Sequence, residues 1–152
     1  MEYKDKMEKL GNHDTLKNAI NTVRHPLIIL DENLKVVLAN HSFYQVFKVK
    51  PEETEERFIY DLGNRQWDIP KLRELLEDIL PKTTSFDNFE VEHNFTNIGK
   101  QIMLINACRI YLEANRKKLI ILGIENMTEH KKIDELREKV KELEARLKKN
   151  PL

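Results

Sequence analysis

One cysteine, Cys108, occurs in 152 residues, so the chain can form no internal disulfide and has no CxxC pair for zinc or thiol redox chemistry. A small core residue is its expected role. Net charge is missing too, because 26 Lys plus Arg balance 26 Asp plus Glu. No basic face interleaved with aromatics supplies the long-range attraction to phosphate that nucleic-acid binders use, so DNA and RNA are not expected partners. The longest apolar runs, Pro26 to Leu30 and Leu119 to Ile124, fall far short of the roughly 20 residues that span a bilayer. The opening MEYKDKMEK has no apolar signal region, and a cytoplasmic location is expected. Five histidines, His13, His25, His41, His93 and His130, stand at neither HxxxH nor HExxH spacing, which leaves a metal site without support. No Ser/His/Asp arrangement, phosphate-cradling glycine loop or kinase phosphoacceptor segment is visible. Glu52-Glu53 and Glu55-Glu56 read as a solvated helix start. The chain is not expected to be an enzyme.

What is present is 40% hydrophobic residues arranged for one domain of about 100 to 120 residues with helical flanks. Tyr3, Met7 and Leu10 recur at helical spacing before Gly11-Asn12 interrupts, so residues 1–13 read as an entering helix or linker. Asp14 suits a helix cap, and Leu16, Ile20 and Val23 then form one face that ends before Pro26. Pro26 to Leu30, the turn Asp31-Glu32-Asn33 and Leu34 to Ala39 predict a β-hairpin. Asn40 is placed to cap the helix HSFYQVFKV, whose Phe43, Phe47 and Tyr44 would pack inward. After a polar connector comes WDIPKLRELLEDILP, with Asp68 as cap, Pro70 in the first turn, Leu72, Leu76 and Ile79 on one stripe, and Pro81 as stop.

Three strands are predicted next: Phe86 to Phe95, Gln101 to Leu112 and Lys118 to Asn126, joined by Asn97-Ile98-Gly99 and Glu113-Ala114-Asn115-Arg116. In the first, Phe89, Val91 and Phe95 alternate with polar residues, so one face is wet. In the second both faces are apolar: Ile102, Leu104 and Ile110 on one, Met103, Ile105, Ala107 and Tyr111 on the other. The helix at Leu16 to Val23 and a second copy of the chain are the available covers for the outer face.

The order strand, strand, helices, three strands resembles a PAS domain. The resemblance rests on PLIILDENLKVVLAN leading through Asn40 into SFYQVF, on GKQIMLINACRI, and on the exit LIILGIENMTEHKK. The middle, LGNRQWDIPKLRELLEDILP followed by FDNFEVEHNF, is similar to PAS domains of sensor histidine kinases and chemotaxis methyltransferase fusions. It covers about residues 14–132. It implies an α+β fold: a five-stranded antiparallel sheet with helices on one face, flanked by an N-terminal helix and a C-terminal coiled-coil helix at residues 133–152. It also implies a sensory and dimerisation role within a larger protein that carries a C-terminal effector. Family members often end the last strand Asp-Ile-Thr-Glu-Arg, the acid and Thr linking core to exit helix. Here Asn126-Met127-Thr128 stands instead, with Glu125 as the substitute acid and Thr128 still able to hydrogen-bond. Simple capping of the exit helix by Asn126 and Thr128 is the competing reading.

Read without the family, Ile133, Leu136, Val140, Leu143 and Leu147 alternate spacings of three and four. β-Branched residues at a with leucine at d favour a parallel two-stranded coiled coil, hence a homodimer. A helix folded back on its own domain is the alternative. Glu135/Lys139, Glu142/Arg146 and Glu144/Lys148 add i, i+4 pairs of about 0.2–0.5 kcal/mol each.

For a ligand site, position selects Phe43 and Phe47 from the first core helix, Trp67, Leu72 and Leu76 from the connecting region, and Asn106 and Cys108 from the second long strand. These side chains either line a small-molecule pocket or fill the core completely. Asn106 is the informative one, since a polar side chain among apolar neighbours needs a partner. His93, alternating with Phe89, Val91 and Phe95, is the first candidate for a haem ligand, but a satisfied or edge-exposed histidine is expected. The photoactive PAS subclass carries its flavin-reactive cysteine in an Asn-Cys-Arg-Phe type helix motif that is absent here. No cofactor is required by the sequence, haem and flavin are not expected, and a small-molecule ligand stays open. Beside the relay reading stands a ligand-binding protein whose coiled coil serves only assembly.

Overall fold

The computed structural model describes residues 14–96, 98–113 and 116–149. The entering segment 1–13, residue Asn97, residues Ala114-Asn115 and residues 150–152 lie outside them, and with them the helix expected from Tyr3, Met7 and Leu10.

Five antiparallel strands form one sheet in the order β2-β1-β5-β4-β3, where β1 is Leu27–Leu30, β2 Val36–Ala39, β3 Ser85–Phe95, β4 Gly99–Leu112 and β5 Lys117–Asn126. The chain turns between β1 and β2 because the Asp31 carboxylate accepts the amides of Asn33 (2.8 Å) and Lys35 (3.0 Å), while Leu34 takes a left-handed φ of 64°. Side chains alternate across a strand. On β4, Met103, Ile105 and Ala107 face the helices and are buried, whereas Ile102, Leu104 and Asn106 face away. Strand β3 keeps Phe86 and Phe89 on the inner face despite their odd spacing, because a bulge at Asn88 (φ 57°) shifts the register between them.

The inner face is covered by α2 (His41–Phe47), α3 (Pro51–Thr54), the short segment α4 (Leu62–Arg65) and a longer helix beginning with α5 (Pro70–Arg73). Segment α4 is broken: Gly63, Asn64 and Arg65 all adopt left-handed φ (58°, 63°, 68°), which only the glycine takes without steric cost. Beyond α5 the helix widens to a π turn over Glu74–Ile79 and tightens to a 3-10 turn over Leu80–Lys82. Pro81 has no amide to give Glu77, so a regular α-helix could not continue there. The result departs from the expected stripe. Leu72, Leu75, Leu76 and Leu80 are buried, and Ile79 is only partly covered. Asp68 does not cap this helix; the capping position is Ile69, and the Asp68 carboxylate instead meets Arg73 Nε at 2.5 Å.

Helix α1, helical at residues 14–21, lies on the outer face. Leu16 and Ile20 pack there against Ile29, Leu38 and Leu119, so α1 is the expected cover for the β1–β2–β5 side. Val23 falls beyond its end and stays exposed.

Candidate functional site

Two regions gather the residues singled out from the sequence. The first is the interior under α2. Asn40 organises its approach: the side-chain oxygen accepts the amides of Phe43 (3.0 Å), as the expected helix cap, and Leu27 (2.9 Å). Its amide nitrogen donates to the carbonyls of Ile20 (2.9 Å), Val23 (3.3 Å) and His25 (2.9 Å). One fully buried side chain thus fastens α1, β1 and α2 together.

With α2 so fixed, Phe43 and Phe47 meet Trp67 at ring-centroid distances of 5.6 and 4.8 Å, and Phe95 closes the group at 5.5 Å from Phe47 and 5.3 Å from Trp67. These tilted and edge-on contacts are the favourable arrangements for aromatic quadrupoles, worth about 0.5–1.5 kcal/mol per pair beyond burial. Leu72 and Leu76 belong to the same core. The expected pocket residues do converge, but as packed core: the four rings occupy the space in which a ligand would sit. A small recess of about 260 Å³ remains at the outer edges of Phe47, Trp67 and Phe95, beside the broken α4 segment. His93 stacks edge-on against Phe95 at 4.9 Å and is half-buried. Among the described residues no three His, Cys, Asp or Glu side chains are grouped to hold a metal.

Asn106 and Cys108 do not join this group. Both project from the outer face of β4 and are exposed, because the even-numbered positions of that strand point away from the helices. Asn106 finds its partner locally, its side-chain oxygen accepting the Asn88 amide freed by the β3 bulge (2.8 Å). Cys108 is likewise not the core residue expected.

The second region is the junction where β5 passes into α6 (Thr128–Lys149). Thr128 Oγ1 accepts the Ile102 amide (3.0 Å) and donates to Gln101 Oε1 (3.4 Å), and the Asn126 side-chain amide donates to the same Gln101 oxygen (2.6 Å). Asn126 Oδ1 in turn accepts the Thr128 amide (2.9 Å), and Gln101 Nε2 donates to the Ile98 carbonyl (2.9 Å). Asn126 and Thr128 therefore do more than cap the helix: through Gln101 they tie its first turn to the start of β4. The Glu125 carboxylate makes no ion pair among the described residues, so it does not replace the family's acid. Lys131, one turn into α6, pairs with Glu90 on β3. Gln101 escaped notice in the sequence because its role depends on which strand lies beside Asn126. A polar residue opening an otherwise apolar strand was the available signal.

Beyond this junction α6 buries nothing. Ile133, Leu136, Val140, Leu143 and Leu147 are 45–72% exposed, so the helix is not folded back onto its domain. The expected i, i+4 pairs on its surface are not formed; the ion pair there joins Lys141 to Glu138. The helix starts at Thr128 and runs on through the heptad positions that begin at Ile133.

The family model described as PAS fold matches residues 14–127. This chain belongs to the PAS family, whose domains are sensory modules. Solved structures agree in fold. The PAS domain of BvgS from Bordetella pertussis is 15% identical, with 87% of this chain and 98% of that one covered at a TM-score of 0.58. A PAS domain from a two-component sensor histidine kinase is 10% identical over 80% and 97% of the two chains, TM-score 0.57. The PAS domain of nitrogen regulation protein NR(II) from Vibrio parahaemolyticus is 15% identical over 72% and 95%, TM-score 0.55. At such identities the likeness concerns the fold alone. No curated protein sequence matches the chain. Among the described residues no helix is long and apolar enough to cross a membrane.

Proposed function

We propose that this PAS domain is the sensory and dimerisation module of a larger signalling protein of the sensor histidine kinase kind, and that it passes conformational change from its core along α6 to a C-terminal effector. The observation that carries the proposal is the pairing of a tied junction with a bare seam. Helix α6 is fastened to β4 and β3 through Gln101, Thr128 and Lys131, yet its apolar a and d positions stay exposed among the described residues. A second copy docking seam to seam would bury them, at about 1.5–3 kcal/mol for each large aliphatic side chain fully removed from water. A shift of β4 against β5 would then move both helices of the pair through the junction. The working location in this proposal is the cytoplasm.

Light scattering coupled to size exclusion tests it. The wild-type chain is expected to run as a dimer, and the double variant Leu136→Lys, Leu143→Lys as a folded monomer with its core transition intact. A monomeric wild type, or a core that melts together with the disrupted coil, would overturn the modular relay.

A further inference from the structure

We propose that the protein has a binding site for an amphipathic anion, a carboxylate carried on an apolar chain, at the end of the sheet remote from α6. The site stands apart from the aromatic interior and does not depend on the relay described above. A cleft of about 640 Å³ opens there between the end of the π and 3-10 turns, the β1–β2 turn and the inner face of the β4–β5 hairpin. That volume falls within the range of about 300–1,000 Å³ typical of small-molecule sites.

Strand register explains its chemistry. Arg109 lies opposite Ile120 and Tyr111 opposite Lys118. Alternation puts Arg109 and Tyr111 of β4 beside Lys118 and Ile120 of β5 on the face that elsewhere carries the core. Here the helix has ended, and the sheet runs on uncovered. The floor is core material: Leu76 and Leu80 are buried, Leu34 and Ile120 pack against the same cluster, and all four line the cleft. An apolar chain laid there would extend the core outward and cover Tyr111, a large ring left 54% exposed.

Charge selects the head group. Arg109 and Lys118 make no ion pair among the described residues. Two carboxylates also line the cleft. Glu77 lies 3.7 Å from Arg73, whose closer partner is Asp68 at 2.5 Å, so the lining sets two acids, Glu32 and Glu77, against the two cations. The lining charges balance, but the two cations sit side by side on β4 and β5 without an ion pair among the described residues, and the planar fork of Arg109 suits a carboxylate.

Decanoate below its micelle concentration is the probe, with decanol and decyltrimethylammonium as neutral and cationic counterparts, read by amide chemical shifts of the full chain. Decanoate is expected to give saturable shifts at Leu34, Thr84 and Ile120, with decanol weaker and the cation weakest. Arg109→Ala, Lys118→Ala should weaken decanoate about tenfold or more, equivalent to 1.4 kcal/mol, and leave decanol unchanged. Thr84→Trp, filling the cleft from an exposed position without touching the charges, should abolish binding of both. Shifts confined to the α6 seam, no saturable shift, or equal decanoate affinity in the alanine variant would overturn the proposal.

Discussion

Asn40 is the residue on which most separate segments depend. Its oxygen takes two amides and its nitrogen serves three carbonyls, from a side chain that is itself fully buried. Asn40→Ala loses a helix cap, worth about 1 kcal/mol, and strands several polar groups without partners at about 1–3 kcal/mol each. A loss of roughly 3 kcal/mol in urea unfolding is expected. Asn40→Asp keeps the acceptor but aims a charge at three carbonyls, so its carboxyl should titrate above the usual range. Such a group adds stability only below its unfolded value and loses it as pH rises, so this variant should regain stability on acidification, unlike the alanine variant. Two tyrosines act at the other end of the pH scale. Tyr44 is pushed up to about 12, first by burial and then by the Glu55 carboxylate; Tyr60 is raised further by burial and Glu77, against the pull of the Arg73 guanidinium lying 4.1 Å above its ring. Raised tyrosines stabilise the fold below their unfolded value near 10, and that contribution is lost as pH climbs toward 12 and beyond. The Tyr60 hydroxyl faces the Glu77 carboxylate and the Tyr44 hydroxyl the Ala39 backbone, but neither makes a hydrogen bond of good geometry among the described residues. Tyr44→Phe, Tyr60→Phe should therefore keep or raise neutral-pH stability and blunt alkaline unfolding, as followed by circular dichroism across pH 9–12.

Among the elements, those announced by local chemistry were legible in the sequence. The β1–β2 turn follows from Asp31, the α2 cap from Asn40, and the helical course of α6 from the spacing of its apolar residues. The aromatic group was legible as a set of inward residues, with Phe95 correctly on the inner side of β3. What failed depended on long-range register. The face taken by Asn106 was settled by pairing of β3 with β4 and by a bulge whose amide needed an acceptor. A period of 3.6 could not foretell the π turn that brings Leu75 and Leu80 inward, since the widening belongs to the helix's approach to Pro81. Gln101 was invisible for the same reason. Gln101→Ala should speed amide exchange at Ile102 and in the first turn of α6 about tenfold, as expected for losing roughly 1.4 kcal/mol of hydrogen bonding, while the β1–β5 amides stay protected. Gln101→Glu keeps an oxygen that Asn126 and Thr128 can both reach, so it should preserve more of that protection than alanine does. Equal exchange in the two variants would refute the assignment.

For the whole molecule, an exposed seam on a tied helix makes assembly and stability one quantity. If two chains join along α6, the thermal midpoint should rise with protein concentration in the wild type and become independent of it in Leu136→Lys, Leu143→Lys. A concentration-independent wild type would exclude the dimer in the range scanned. The arrangement of strands also has a mechanical meaning. Strands β1 and β5 are antiparallel neighbours, with Leu27 opposite Gly123 and Leu30 opposite Ile120, so the chain enters β1 and leaves β5 at the same end of the sheet. Tension applied to α1 and α6 would open the hydrogen bonds between these strands one after another, as a zipper opens, instead of loading them all in shear. The domain would yield to a steady pull at low force, whereas a rotation of one helix reaches the other across only the width of two strands. A coupling built this way is soft to stretching and responsive to twist.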